Sequence, residues 1–255
     1  MKTRSIQTNI GRIAVYENEV QSDETPLVFL HGVYFDHHLW DAYIQGFDDR
    51  KCVTIDMPLH GQSNSIYKTN WNLDDCGLML LEILDALNIK KAIAIGHSWG
   101  SMSILRAAVR RPDQFERILL CNMPFQAASI KRKMLFYAFH NLLFLRNFYI
   151  KQVAKSIFGR SSLATNPELL NVLKRSMQLL SGNDIKQIDR KVIINASDAT
   201  ELILTLKVPA IAVKGEEDYV PAPPQTETVR LKGGHVSPLE QVSEMHQLIR
   251  RILFP

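Results

Sequence analysis

Ser98, Asp218 and His235 are the residues of this 255-residue chain whose types, order and surroundings could together break an acyl bond at a carbonyl carbon. Ser98 sits in Gly96-His97-Ser98-Trp99-Gly100, a G-x-S-x-G that follows the apolar run Ala92-Ile93-Ala94-Ile95 and leads into Met102-Ser103-Ile104-Leu105-Arg106-Ala107-Ala108. A buried strand, a sharp turn and a helix form the setting that lifts a serine hydroxyl clear of a sheet as a nucleophile. Such a hydroxyl needs a base to accept its proton and a third group to orient that base. On a parallel sheet the expected chain order is serine, acid, histidine. Gly215-Glu216-Glu217-Asp218 follows one strand-like run and Lys232-Gly233-Gly234-His235 follows another, both downstream of Ser98. Asp218 is the expected acid, with Glu217 as its alternative, and His235 the expected base. The developing oxyanion calls for two backbone N–H donors. Trp99, next after the nucleophile, supplies one, and Val33, in the loop after Leu30, is assigned the other.

These residues require a particular scaffold. Ser5 to Glu17 alternates apolar and polar residues about Asn9-Ile10-Gly11, which predicts a β-hairpin. Strands are expected at 26–30, 52–56, 92–95, 117–122, 208–213 and 228–231, and helices from about His38, from an Asn72 cap to Leu87, and after Ser98. This alternation predicts an α/β fold with a mostly parallel sheet and helices on both faces. It stops between Met123 and Ser197, where the pattern is helical throughout, so 1–122 and 198–255 read as the core and 123–197 as a helical insertion. Ser237-Pro238-Leu239-Glu240 reads as the capping box of the last helix.

Composition narrows the function. Hydrophobic residues make up 46% and charged residues 22% of the chain, enough apolar material for a large core. A net charge of +4 without a phosphate-cradling glycine loop or an aromatic–basic motif argues against nucleic acid as a partner. Cys52, Cys76 and Cys121 are isolated and read as buried free thiols, and no spacing suggests a metal centre or a cofactor. The polar N-terminus and the lack of a membrane-length apolar run lead to the expectation of a cytoplasmic protein with no transmembrane segment. Oligomeric state has no signature.

Together, Leu30-His31-Gly32, Asp56-Met57-Pro58-Leu59-His60-Gly61-Gln62-Ser63, Gly96-His97-Ser98-Trp99-Gly100, Gly215-Glu216-Glu217-Asp218 and Gly234-His235 resemble the α/β-hydrolase superfamily. Within it the chain is similar to compact serine esterases, enol-lactonases, cofactor-free haloperoxidases and carbon–carbon bond hydrolases. The resemblance implies Ser98 as nucleophile, His235 as base and Asp218 as acid, with the insertion as a cap over the site. It departs from the family in two places. Ser101 stands where glycine is frequent, and only 17 residues separate Asp218 from His235, across a segment holding Pro221, Pro223 and Pro224. A crossover between parallel strands normally contains a helix, so an abbreviated connection is expected here.

The expected activity is hydrolysis of a small ester or related acyl substrate with an apolar portion. Carbon–carbon hydrolysis or perhydrolysis with the same residues, and ligand sensing through cap movement, are the alternatives. Other candidate groups have simpler readings. His97 packs behind the elbow, His31, His60 and Asp56 shape turns, and the adjacent His37 and His38 diverge at the surface. His140 and His246 lie in helical patterns with no acidic partner nearby in sequence. The apolar residues Phe125, Leu135, Phe136, Phe139, Leu142–Leu145, Phe148 and Tyr149 are expected mostly to pack the insertion onto the core. The interleaved Lys131, Arg132, Lys133, Arg146, Lys151, Lys155 and Arg160 are expected to form a solvated face, with transient membrane contact or steering of an anionic substrate as alternatives.

Overall fold

In the computed structural model, which describes residues 1–253, the apolar runs assemble into one nine-stranded sheet. Its strands are β1 Lys2–Gln7, β2 Gly11–Glu17, β3 Leu27–Leu30, β4 Cys52–Ile55, β5 Ser65–Ile66, β6 Ala92–His97, β7 Phe115–Cys121, β8 Ala210–Gly215 and β9 Glu227–Leu231. Their order is β1-β2-β4-β3-β6-β7-β8-β9, with the short β5 beside β2. The β1–β2 hairpin is antiparallel, and from β4 to β9 every neighbouring pair is parallel. Strands β3, β4 and β6 are buried along their whole length, as a sheet covered on both faces demands.

The helices are α1 Asp41–Ile44, α2 Leu73–Ala86, α3 Trp99–Arg110, α4 Ile130–His140, α5 Arg146–Ile157, α6 Arg160–Thr165, α7 Glu168–Gln178, α8 Gly182–Ile188, α9 Thr200–Leu204, α10 Ser237–Glu240 and α11 Val242–Leu253. The Asn72 side chain caps α2 as expected, accepting from the N–H groups of Asp74 and Asp75 while Asp75 accepts from Asn72 N–H. Such a cap stabilises a helix by about 1 kcal/mol. Helices α4 to α8 and a π-helical turn at Asp189–Ile194 fall within the segment read as an insertion.

Several local expectations change. The helix after His38 shrinks to a 3₁₀ turn at His37–Trp40 and the single turn of α1. The last helix is broken at Gln241 into α10 and α11, and Ser237 is not its cap. Strand β5 has no apolar signature and exists because β2 offers it a partner. No helix joins β8 to β9, in line with the abbreviated connection. The packing expectation for the apolar residues of the insertion holds for Phe125 and Tyr149, which are buried. It fails for Leu135, Phe144, Leu145 and Phe148, which are exposed because α4 and the start of α5 lay only one side on the molecule.

The sheet order places the site. Strands β3 and β6 are neighbours, and their connections leave in opposite directions along the sheet, so a crevice opens beyond their carboxyl ends. Leu30 of β3 is level with Gly96 of β6, His97 with Cys121 of β7, Cys121 with Val213 of β8, and Gly215 with Leu231 of β9. All of the expected site loops therefore leave the same edge.

Candidate active site

The turn after β6 holds Ser98 at φ 50° and ψ −108°, outside the favoured regions for a residue with a Cβ. Strain of this kind costs roughly 1–3 kcal/mol and persists only where the surroundings enforce it. Here Ser98 N–H donates to Cys121 O at 2.8 Å, and Gly100 N–H donates to His31 O at 3.1 Å. The approach behind the turn is close enough that a Cβ on Gly100 would lie 2.2 Å from Leu30 O. Ser101, the departure from the resembled pattern, adds a tie: its hydroxyl donates to Gly96 O at 2.7 Å, and Cys121 O lies 3.2 Å away.

His235 meets Ser98, and Asp218 meets His235. Ser98 Oγ lies 2.9 Å from His235 Nε2, and His235 Nδ1 lies 2.9 Å from Asp218 Oδ1. An ionised carboxylate only accepts hydrogen bonds, so the Nδ1 proton of His235 points to Asp218 and Nε2 is left to accept from Ser98. Asp218 also accepts from Asn122 Nδ2 at 2.9 Å and Val220 N–H at 3.0 Å. Burial raises its pKa, but the nearby His235 and these three donors outweigh that and hold the carboxyl below its usual range. Glu217, the alternative acid, is exposed and turned away. It accepts from Arg160 N–H at 2.9 Å and Ser161 Oγ at 3.1 Å, not from His235.

The two expected oxyanion donors are Trp99 and Val33. Trp99 is the first residue of α3, where no intrahelical carbonyl can accept its N–H. Val33 lies in the turn after β3, and the closeness of that turn is measured by Gly32, where a Cβ would be 2.5 Å from His97 Nδ1 and 3.1 Å from Ser98 Cβ. Only glycine fits there. Tyr34, next in the turn at φ 70°, donates its N–H to His60 Nε2 at 3.0 Å. Its hydroxyl donates to Asp189 of the π-helical turn, which also accepts from His140 Nε2 at 2.8 Å. The helical segment is thus bonded directly to the turn that carries Val33. His140 has an acidic partner after all, 49 residues away in sequence.

The remaining histidines mostly follow their simple readings. Burial lowers His31 to about 3 and His60 to about 4, and each bridges backbone groups as a neutral ring. His97, lowered to about 3 by burial and by the nearby His235, donates from Nε2 to the His235 carbonyl at 2.8 Å. That hydrogen bond holds the backbone of His235, the expected base. His37 and His38 do not diverge. Their rings lie 4.1 Å apart, because the 3₁₀ turn keeps both on one side and Asp56 draws His37 inward at 2.9 Å. With Asp36 they bring three possible metal-ligating atoms within 4.8 Å of one another, all three residues being engaged in protein hydrogen bonds. Cys52, Cys76 and Cys121 are buried and unbridged, and burial pushes the Cys52 and Cys76 thiols up to about 12.

Three neighbours of the site went unread in the sequence. Asn122, at φ 50° just beyond β7, joins Asp218 to the Gly234 carbonyl and the Ser237 N–H. A polar residue closing an apolar strand at this edge was the available signal. Tyr219 stacks on His235 with ring centres 4.8 Å apart, and the Arg132 guanidinium of α4 lies 4.0 Å over the tyrosine ring. Glu240, expected in a capping box, instead accepts from Gly234 and Val236 N–H, on either side of His235, at 2.9 and 3.1 Å. It also accepts from Gly159 N–H at 2.8 Å.

A cavity of about 790 Å³ opens above Ser98 and His235. Val33 and Tyr34 line it, together with apolar side chains that include Met102, Phe125, Phe136, Phe139 and Val220. That volume suits a small organic molecule.

Residues 25–220 match the profile of the alpha/beta hydrolase fold family. The chain belongs to that family. An enol-lactonase from Burkholderia xenovorans has the same fold, with a TM-score of 0.86 at 17% identity over 99% of this chain and 100% of its own. A carboxylesterase from Bacillus subtilis aligns with a TM-score of 0.79 and 17% identity over 99% of this alpha/beta hydrolase and 91% of its own chain. In sequence, the chain is 29% identical over 134 residues to an (E)-2-((N-methylformamido)methylene)succinate hydrolase from Acinetobacter baylyi, covering 52% of this chain and 50% of that protein. It is 34% identical over 97 residues to a 3-oxoadipate enol-lactonase of the same organism, covering 38% and 36%. The chain spans a third to a half of the length of the first curated relatives that it matches. No described helix is long and apolar enough to cross a membrane.

Proposed function

We propose that this alpha/beta hydrolase cleaves a carboxylic ester, open or cyclic, or a related acyl compound through an acyl-enzyme on Ser98. The observation that carries the reading is the unbroken line from Ser98 Oγ through His235 to Asp218, with both hydrogen bonds at 2.9 Å. As the Ser98 oxygen attacks the carbonyl carbon, its proton passes to His235 Nε2, and Asp218 stabilises the imidazolium that results. The carbonyl oxygen becomes an oxyanion held by the N–H groups of Val33 and Trp99. His235 then returns the proton to the departing alcohol oxygen as the acyl–oxygen bond breaks. Water repeats the sequence on the acyl-enzyme, with His235 taking its proton, and releases the carboxylic acid. No metal or cofactor enters this scheme.

The apolar lining of the cavity favours a substrate whose acyl or alcohol part is itself apolar. The activities of two relatives, an enol-lactonase and a succinate-derivative hydrolase, fall within or beside this chemistry. Carbon–carbon hydrolysis would use the same triad and is separated from ester cleavage by the substrate that turns over. Covalent labelling with a fluorophosphonate, read by mass spectrometry of the adduct, tests the proposal without the natural substrate. The adduct is expected on Ser98, and Ser98→Ala is expected to lose both labelling and turnover of aryl esters. Equal ester hydrolysis by wild type and Ser98→Ala would overturn the proposal. Ligand-dependent capture of a partner protein without turnover would indicate a sensor instead.

A further inference from the structure

Seven of the twelve exposed large apolar side chains among the described residues lie between Ile130 and Phe148. Ile130, Met134 and Phe144 are 77%, 66% and 79% exposed, values expected of lysine on a soluble surface. Ile130, Met134 and Tyr137 fall at i, i+4 and i+7 along α4, an exposed stripe that ends where the Tyr137 ring meets the buried His140, ring centres 6.3 Å apart. Phe144 stands in the turn to α5, and Phe148 continues along the exposed side of α5 with Lys151 and Lys155 at helical spacing.

Charge on this segment is one-sided. Between Arg117 and Glu168 lie seven lysines and arginines and not one of the chain's 26 acidic residues. The whole chain carries only +4, so its excess positive charge is concentrated here and the remainder is net negative. Clustered apolar exposure on a segment whose own charges are all basic is the composition of helices that rest in a lipid interface: the apolar groups enter the headgroup region while the cations meet anionic lipid. A second copy of this face is a poor occupant, because two such faces would bring like charges together. The same segment borders the cavity, which Lys131, Arg132 and Leu135 line.

We infer that α4, the turn after it and the exposed side of α5 form a docking surface for an anionic lipid bilayer, seating the mouth of the cavity at the lipid interface. The protein would lie on the bilayer without crossing it.

Binding is tested by sedimentation with sucrose-loaded vesicles of phosphatidylcholine alone and of phosphatidylcholine mixed with phosphatidylserine. The full chain carrying Ser98→Ala serves as the parent, so the result does not depend on the hydrolase reading. The parent is expected to sediment with the mixed vesicles, far less with phosphatidylcholine alone, and to be released by high salt. Replacing Met134, Phe144 and Phe148 together by serine is expected to weaken binding at least about tenfold. Replacing Lys133, Lys151 and Lys155 by glutamine is expected to weaken it by about a hundredfold and to reduce the salt dependence. Both variants change side chains at the surface, and circular dichroism checks that each is folded. Failure of the parent to bind the mixed vesicles, or unchanged binding by both folded variants, would overturn the inference. So would a parent that forms a dimer without binding vesicles and is made monomeric by the serine variant, since the face would then be an interface between copies.

Discussion

Asp218→Asn is the substitution that best separates the proposed acid from its neighbour Glu217. Asparagine keeps the volume of the side chain but turns one acceptor oxygen into a donor. Asp218 Oδ1 accepts from His235 Nδ1 at 2.9 Å and Val220 N–H at 3.0 Å, and Oδ2 accepts from Asn122 Nδ2 at 2.9 Å. If the new NH₂ group replaces Oδ1, it faces His235 Nδ1 and drives the ring proton to Nε2, where it can no longer accept from Ser98. If it replaces Oδ2, it meets the Asn122 amide donor to donor. Either way the imidazolium of the transition state loses its counter-charge. Loss of this group in serine triads lowers kcat by about 10³–10⁴, equivalent to about 4–5.5 kcal/mol of transition-state stabilisation. The assay is steady-state hydrolysis of an aryl ester, with the rate of fluorophosphonate labelling measured in parallel. KM is expected to change little, because Asp218 acts through His235. Glu217→Gln is expected to stay within about twofold of wild type, since Glu217 bonds Arg160 and Ser161 on the surface. A folded Asp218→Asn protein that keeps more than about a tenth of wild-type kcat, or a Glu217→Gln protein that matches its loss, would refute the assignment.

Glu240→Ala leaves the N–H groups of Gly159, Gly234 and Val236 without their acceptor, and a loss of about 1–3 kcal/mol is expected by urea unfolding. Because two of those groups flank His235, aryl-ester turnover is expected to fall as well, whereas an unchanged kcat would show that the loop holds its place without the carboxylate. Asp189→Ala strands the Tyr34 hydroxyl and His140 Nε2 in a buried space and is expected to cost about 3–5 kcal/mol, against about 1–2 for Tyr34→Phe, both read from urea midpoints. Asp56 is buried, which raises its pKa, but the His37 hydrogen bond, the nearby His31 and His37, and the Gln62 N–H hold it well below the usual carboxylate range. A carboxyl depressed on folding contributes stability above its unfolded value of about 3.9 and loses it as pH falls through the folded value. The unfolding free energy is therefore expected to drop below about pH 4 in wild type and much less in Asp56→Asn, the two curves converging in acid.

Much of the fold was legible because its signals are local. The run Ala92–Ile95 ending in Gly96 could only be a strand covered on both faces, and Asn72 with Asp75 marked the start of α2 by capping chemistry alone. Where elements are stabilised by distant partners, the sequence misled. Two residues, Ser65 and Ile66, make a strand only because β2 is beside them. Ser237-Pro238-Leu239-Glu240 has every mark of a capping box, yet Glu240 finds stronger calls on its charge in three loop N–H groups brought to it by the sheet edge. His140 looked unpartnered because Asp189 is remote in the chain.

By itself the sequence determined the types and order of the groups proposed to react, Ser98, Asp218 and His235, and the strand ends from which each projects. Those follow from hydrophobic periodicity and turn chemistry, which act over a few residues. Only the tertiary structure decided that Asp218 and not Glu217 meets His235, because neighbouring residues at a turn point in different directions. It alone decided that Asn122, His97 and Glu240 hold the loop of His235. It also decided that α4 and the start of α5 leave their apolar side chains uncovered, since burial depends on what else the chain has available to pack there.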